Sequence, residues 1–444
     1  GAPLRCPCKA VFYCNAECQR AQWGEHRKKC TYDLEKKLVK LQERVGGDDP
    51  AVGDACFNLG MLYFEQHRFG KAEEKYLEAL RIFELVEGEW SMKVAAVLQD
   101  LGCIDLELGR LDEALRRLKW VLRISRRVHG PEHEKVAEAT HNVGIVLEKM
   151  GELDGAMAKY EKVRAMFVKL RGADDEMVAV VLGSMGNILV HQGRTEEAVP
   201  LLEEAIVIQR RISGIESDEY AVLVGNLGAA HSRLGMYQVA VPLLEEAIDI
   251  LRHTSGTESD NFVVLVANLG AAHIHLGTYD AALSSLEEGL DTVRQIHPLE
   301  LHVLEGKILA YMSVIYSSRG RNEEALEMLR KAQRILRETL GPDCADVGEV
   351  IVDTARVLAD QGKLAEAMDK YEEGLAILRR ALGPEHPDLA MILHNMAICK
   401  EKIGNVAGAI ACLREAQGIF RRAGGSQEHA TRVDAMLAQL EGGM

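Results

Sequence analysis

A glycine recurs along this chain at an almost constant interval of 42 residues. Successive intervals are 42, 42, 42, 42, 42, 43, 42 and 42 residues, and an alanine stands five residues after every position. A fixed period of this length indicates stacked structural repeats rather than a single conventional domain. The series starts with a histidine and continues with glycine: His67, Gly109, Gly151, Gly193, Gly235, Gly277, Gly320, Gly362 and Gly404.

Each repeat is predicted to consist of two antiparallel helices joined by a short turn. Glycine suits the end of the first helix because its backbone can become left-handed without a side-chain clash. Apolar residues then recur at helical spacing, as at Ala198, Leu202 and Ala205, and the alanine is expected where the second helix crosses the first closely. One repeat cannot bury its apolar face alone, so the repeats should stack into an all-α solenoid.

Composition and charge exclude several classes of protein. The 444 residues carry a net charge of -15, but residues 1–30 carry +4, so the rest of the chain carries -19. An acidic body argues against general nucleic-acid binding, which relies on basic side chains that neutralise phosphates. The sequence has no run of about eighteen apolar residues, so no membrane span is predicted. No phosphate-binding glycine loop, nucleophile elbow or HExxH motif is found, so we expect neither catalysis nor a small-molecule substrate.

The repeats resemble the tetratricopeptide repeat, in particular the 42-residue version of kinesin light chains and nephrocystin-3-like proteins. Those repeats run asparagine, leucine, a small residue, then glycine and alanine. This chain reads NLGMLYFEQHRFGKAEEKYLEALRIF at 58–83 and NLGAAHSRLGMYQVAVPLLEEAIDIL at 226–251. The resemblance covers roughly residues 50–425 and implies a right-handed superhelical solenoid of about nine helix-turn-helix repeats.

Two features depart from the regular pattern. His67 stands where the other repeats have glycine, and one residue is inserted before Gly320. The insertion lies close to the segment QIHPLELH at 295–302. We expect it to disturb the superhelix between the sixth and seventh repeats.

Asparagine recurs nine residues before the turn, inside the first helix. It is a poor residue for a helix interior because it competes for backbone hydrogen bonds, so its recurrence needs a reason. The resemblance implies that first helices line a concave surface and that this asparagine grips the backbone of a bound peptide, since one amide offers donors and an acceptor. The alternative is that each asparagine bonds to an adjacent helix within the stack. Five of the nine repeats have asparagine here: Asn58, Asn142, Asn226, Asn268 and Asn395.

The neighbouring positions predict the character of this surface. Three residues further along, the middle repeats carry Ala229 and Ala271, which predict a small apolar floor. Charged residues lie nearer the ends, at Asp100, Asp353 and Arg356. We expect these charges to add sequence selectivity.

Cysteine and histidine are clustered at the start of the chain, in the sequence CPCKAVFYCNAECQRAQWGEHRKKC at 6–30. Thiolates and imidazole are the ligands that zinc prefers, and so short a segment needs a metal to fold. A closed structural zinc site is therefore favoured over a catalytic site and over free surface cysteines. The candidate ligands are Cys6, Cys8, Cys14, Cys18, His26 and Cys30.

The same segment resembles the MYND zinc finger. The resemblance implies that Gln19 and Trp23 contact a proline-rich peptide, although Trp23 could instead pack in a small core. MYND fingers bind two zinc ions through eight interleaved ligands. The matching residues are Tyr13, Cys14, Cys18, Gln19, Trp23, His26 and Cys30.

The ligand set departs from the MYND pattern. The first ligand pair would precede residue 1, and Cys6 and Cys8 are separated by one residue rather than two. The family's interleaving implies one site made of Cys6, Cys8, His26 and Cys30, and leaves Cys14 and Cys18 with half a site. We therefore expect one zinc ion and an incomplete second site.

The predicted organisation has four parts. A MYND-like finger with an incomplete ligand set covers 1–30, a linker helix 31–50, nine repeats 51–425, and a capping helix with a tail 426–444. The amphipathic stretch at 33–45 supplies the linker helix. The segment GPEHPD at 383–388 is predicted to be a loop because it contains two prolines.

The expected function is that of a non-enzymatic scaffold or adaptor that binds proteins or peptides. One alternative is a transcription or chromatin co-regulator recruited through the finger. Another is a cargo adaptor like kinesin light chain, which the short helix at 33–45 disfavours because that family carries a long heptad coil. No secretory signal is visible, so we expect the cytoplasm, with the nucleus as the alternative. The oligomeric state is left open.

Overall fold

The computed structural model describes residues 4–5, 12–13, 31–298, 301–423 and 427–442. Two short strands, β1 (Leu4–Arg5) and β2 (Phe12–Tyr13), pair antiparallel, with Leu4 opposite Tyr13. The rest of the described chain is helical apart from turns and short loops. None of its helices is both long and apolar enough to cross a bilayer.

Twenty helices are found in the described residues. The first seven are α1 (Thr31–Val45), α2 (Pro50–Glu65), α3 (Phe69–Glu87), α4 (Met92–Glu107), α5 (Leu111–His129), α6 (Glu134–Lys149) and α7 (Leu153–Arg171). The next seven are α8 (Glu176–His191), α9 (Thr195–Ser213), α10 (Asp218–Arg233), α11 (Tyr237–Thr254), α12 (Asp260–His275), α13 (Tyr279–Ile296) and α14 (Val303–Ser318). The last six are α15 (Asn322–Leu340), α16 (Ala345–Asp360), α17 (Leu364–Leu382), α18 (Pro387–Lys402), α19 (Val406–Ala423) and α20 (Gln427–Gly442).

Helices α2 to α19 form nine consecutive hairpins, one for each predicted repeat. The all-α repeat solenoid expected from the sequence is confirmed. Helix α1 begins two residues before the predicted 33–45, and α18 begins at Pro387, inside the predicted 383–388 loop. Proline is favoured in the first turn of a helix, where its missing N–H has no partner to lose, so Pro387 starts a helix rather than preventing one.

The hairpin turns contain the recurring glycines, in a left-handed backbone. Gly109 has φ 69°, for example, and the other glycines of this row are similar. His67 has φ 53°, a conformation that costs free energy for a side-chain-bearing residue. Its ring packs edge-on against Phe69, with centroids 5.9 Å apart, and this contact offsets part of that cost.

A second row of glycines ends the second helices, 21 residues after the first row. This row was not predicted from the sequence, where the period was recognised at the hairpin turn only. The junction after α13 breaks the pattern: its C-cap is His297, with φ -118°. The members with positive φ are Gly88, Gly130, Gly172, Gly214, Gly256, Gly341 and Gly383.

The alanine five residues after each turn lies where the two helices of a hairpin cross. The first helices also have small residues at the crossing. A Cβ on Gly270 would lie only 2.6 Å from Leu286, and a Cβ on Gly144 would lie only 2.7 Å from Tyr160. The crossing therefore has no room for a larger side chain. All nine alanines have 0% of their surface exposed: Ala72, Ala114, Ala156, Ala198, Ala240, Ala282, Ala325, Ala367 and Ala409.

The chain divides into two compact units, one ending at Val181 and the other beginning at Leu182. In the second unit α10, α12, α14, α16 and α18, which are all first helices, each contact the next one in the series. In the first unit α2 contacts α4 in the same way. Second helices form no comparable contacts in the described chain, so first helices line the inner side of each unit.

Replacing Ala282 by leucine should destabilise the sixth repeat by about 1–3 kcal/mol, because overpacking strains a filled interior. Ala281 is the adjacent residue and is exposed, so Ala281→Leu is a matched control and should change stability by less than about 0.5 kcal/mol. Thermal unfolding and hydrogen exchange of α12 and α13 would measure both effects. Equal effects of the two substitutions would contradict the close crossing.

Candidate functional site

The asparagine row lies on the first helices, as the sequence predicts, but its members are distributed over both units. Asn58 is on α2 and Asn142 on α6, in the first unit, while Asn395 is on α18. Asn226 and Asn268 occupy equivalent positions on α10 and α12, which contact each other. These two form the part of the row that consecutive repeats bring together.

The side chains in this row differ in what they bind within the protein. Asp100 accepts a hydrogen bond from the Tyr76 hydroxyl, and Asn142 is bonded to the ring of His141. Among the described residues, the side chains of Asn226 and Asn268 form no hydrogen bond, and both are half-buried. Their amide donors and acceptors are therefore available to a ligand.

A charged cluster lies on the inner side of the second unit, close to this row. Lys307 on α14 forms an ion pair with Asp346 on α16, with 2.7 Å between Nζ and Oδ1. Glu349 lies one helical turn beyond Asp346, and Arg233 and Asp388 are near enough to act on its charge. We call Arg233, Lys307, Asp346, Glu349 and Asp388 the inner charged cluster.

The surroundings of Glu349 change its acidity. Its side chain keeps contact with solvent, but residues of α10, α14 and α18 lie around it and partly desolvate the carboxyl. Burial raises the pKa of Glu349 to about 7, the carboxylates of Asp346 and Asp388 raise it further, and nearby Arg233 and Lys307 oppose the shift. This carboxyl therefore changes its charge near neutral pH.

The inner surface of the second unit is narrow at one place. The turn after α8 lies beside the start of α18, since a Cβ on Gly193 would be 3.6 Å from Cδ of Pro387.

Asp353 on α16 accepts a hydrogen bond from Arg356 at 2.9 Å. Burial raises the pKa of Asp353 and the Arg356 guanidinium opposes that shift, so these two charges form a pair with each other on this surface.

Lys307 and Glu349 were not predicted as site residues from the sequence. Each stands four residues before the position of the asparagine row, Tyr311 and Asp353 respectively. Residues four apart on a helix share one face, so an examination of this row would have found both.

The finger lies outside the described residues. None of the predicted zinc ligands, nor Gln19 or Trp23, belongs to the described part of the chain. Only the short β1–β2 pairing of that segment is described. The ligand assignment therefore stays a prediction.

Comparison with protein families identifies both modules. The tetratricopeptide repeat model matches residues 54–127, 94–167, 177–253, 262–338, 305–380 and 346–422, and the MYND finger model matches residues 1–30. The chain belongs to the tetratricopeptide repeat family. The two modules support a protein-interaction scaffold, and the MYND finger implies zinc binding.

Solved structures share the repeat fold. The apo form of the quorum sensor NprR from B. thuringiensis is 13% identical, with a TM-score of 0.56 over 80% of this chain and 99% of that chain. The apo form of RapI is 16% identical, with a TM-score of 0.52 over 64% of this chain and 97% of that chain. These two structural similarities are evidence for the fold only.

A further structure is that of BtubC (BKLC) from P. vanneervenii. It is 21% identical, with a TM-score of 0.43 over 52% of this chain and 91% of that chain. No curated protein matches the chain at a significant level.

Glu349→Gln should stabilise the protein at pH 8 and leave it nearly unchanged at pH 5. The carboxyl has a higher pKa in the folded than in the unfolded chain, so its contribution is favourable at low pH and is lost as pH rises through about 7. Unfolding temperatures at both pH values would measure the difference. Glu372→Gln, at an exposed position of α17, is the control, and a gain of equal size at pH 5 would contradict the assignment.

Proposed function

We propose that this chain is a non-enzymatic adaptor that binds extended peptide segments along the inner side of its repeats. The observation that carries the proposal is the pair Asn226 and Asn268. They lie at equivalent positions on contacting helices, and their amides form no hydrogen bond to another described residue. This supports peptide binding over the alternative in which the asparagines tie helices together.

Each amide can pair with a backbone C=O and N–H of a peptide. Such pairing places little demand on the peptide's side chains, whose selection falls to the inner charged cluster. That cluster contains two cationic and three acidic groups, so a peptide with both charges would find partners on it. Because Glu349 loses its charge below about pH 7, we expect peptides with a basic residue at that place to bind more tightly as pH rises.

Asn226→Ala combined with Asn268→Ala should weaken peptide binding without unfolding the array. Each lost hydrogen bond contributes about 0.5–1.5 kcal/mol, so the pair should lower affinity by roughly tenfold or more. The probe is a fluorescent peptide selected from a random display library on the intact chain. Fluorescence anisotropy would give its affinity for each variant.

Asn261 is the matched control, because it is an exposed asparagine near the start of α12. Asn261→Ala should leave the affinity unchanged, and so should Cys8→Ser in the finger. Unchanged affinity of the double variant, with its helical content intact, would rule out binding by this row.

We also propose that the finger holds one zinc ion through Cys6, Cys8, His26 and Cys30, with Gln19 and Trp23 contacting a second partner. The donor set supports this, since thiolates and an imidazole match the ligands of structural zinc. Zinc would fold the segment and present Gln19 and Trp23.

A zinc-thiolate site and the free cysteines of the helices, such as Cys56 and Cys399, fit a reducing compartment. We therefore propose the cytoplasm as the location.

Cys8→Ser should remove one tightly held zinc ion per chain, whereas Cys14→Ser should not. The measurement is elemental analysis of the full-length protein after dialysis against metal-free buffer. Cys103→Ser, at a half-buried helical position, should retain the zinc of the unmodified protein. Absence of zinc from the unmodified folded protein would overturn the zinc-finger assignment.

A further inference from the structure

Three metal-ligating side chains converge where the regular glycine pattern is interrupted, between the sixth and seventh repeats. His297 ends α13, His302 caps the start of α14, and Asp260 is the first residue of α12. From each of the three, one ligand atom lies within 4.8 Å of the other two. We infer that Asp260, His297 and His302 form a zinc site separate from the finger.

The distances suit a single ion. Nε2 of His297 is 3.0 Å from Oδ1 of Asp260, and Nε2 of His302 is 3.7 Å from Oδ2 of the same carboxylate. Zinc bonds of about 2.0–2.2 Å in a tetrahedral arrangement place ligand atoms about 3.3 Å apart. Two imidazoles and a carboxylate then leave the fourth position for water. Imidazole ligands favour zinc over calcium and magnesium, which prefer all-oxygen sites.

Ion binding requires a modest rearrangement of the histidines. The two rings are stacked nearly parallel, with centroids 4.0 Å apart and an interplanar angle of 3°. Imidazole lone pairs lie in the plane of the ring, so one ring has to turn before both can point to one ion. His302 Nδ1 also accepts a hydrogen bond from the Leu304 N–H at 3.3 Å. Coordination through Nε2 places a proton on Nδ1 and gives up this long bond.

This rearrangement sets the expected affinity. The side chains of His297 and His302 are each 26% exposed, and that of Asp260 is 50% exposed. The rings can therefore turn without displacing the core, at the cost of the stacking and the cap. We expect zinc to bind this site reversibly and more weakly than it binds the finger.

The junction between the second and third repeats contains two of the three ligand positions. His129 and His133 occupy the positions equivalent to His297 and His302, and their rings also stack, with centroids 4.3 Å apart. The position equivalent to Asp260 is the first residue of α4, Met92. The carboxylate ligand is missing there, so this pair serves as an internal control.

The other repeats show which side chains can replace the ligands without loss of structure. Arg171, at the position of His297, pairs with Glu134, which stands at the position of Asp260. Ser217 and Ser259 occupy the position of His302, and both cap the following helix. His297→Arg and His302→Ser therefore remove imidazole ligands and keep the local pairing and capping.

The test is isothermal titration of zinc chloride into the full-length protein after dialysis that leaves the finger zinc in place. We expect one additional zinc ion per chain, and at least about tenfold weaker binding in His297→Arg and in His302→Ser. His133→Ser should bind as the unmodified protein does.

Thermal unfolding in the absence of added zinc should be the same for the two ligand variants and the unmodified protein. Added zinc should raise the unfolding temperature of the unmodified protein and of His133→Ser, and raise it less in the two ligand variants. Failure of the dialysed protein to take up an additional ion would overturn the assignment, as would uptake that neither variant reduces. The peptide-binding measurements above do not depend on either result.

Discussion

The close crossing of two helices in every hairpin is the contact on which the rest of this structure depends. On one side stands an alanine with no exposed surface, and on the other a first helix with glycine or another small residue opposite a leucine or tyrosine. Such a crossing has no spare volume, so it fixes how the two helices meet. Because the same contact recurs every 42 residues, side chains at equivalent positions form rows on the inner side of each unit.

Those rows decide the chemistry of the surface. The row with Asn226 and Asn268 supplies neutral amides that can pair with any peptide backbone. The row four residues earlier supplies apolar side chains in the middle repeats and then Lys307 and Glu349. Recognition of a backbone and selection by charge are thus separated onto different positions of the same helices, so either can change without altering the crossing below.

The fold was predictable because its signal is local and repeated. The turn glycines and the buried alanines recur in nearly every repeat, and each has one physical reason. The charged groups around Glu349 were harder to predict from the sequence. Arg233 and Asp388 lie far from Glu349 in sequence, and only the packing of successive hairpins brings them near it. The cluster of Asp260, His297 and His302 was missed for a related reason: Asp260 is 37 residues from His297 and 42 residues from His302 in sequence, and the return of α13 beside the start of α12 brings the three together.

The single inserted residue after the sixth repeat has a consequence for how this chain can change in length. Loss or duplication of a 42-residue block on one side of the insertion leaves the packing between successive hairpins unchanged. A block that spans the insertion carries 43 residues and moves the histidine pair with it. A change in repeat number on either side of the insertion therefore preserves the 42-residue period, whereas a change that includes the junction also changes the number of histidine pairs.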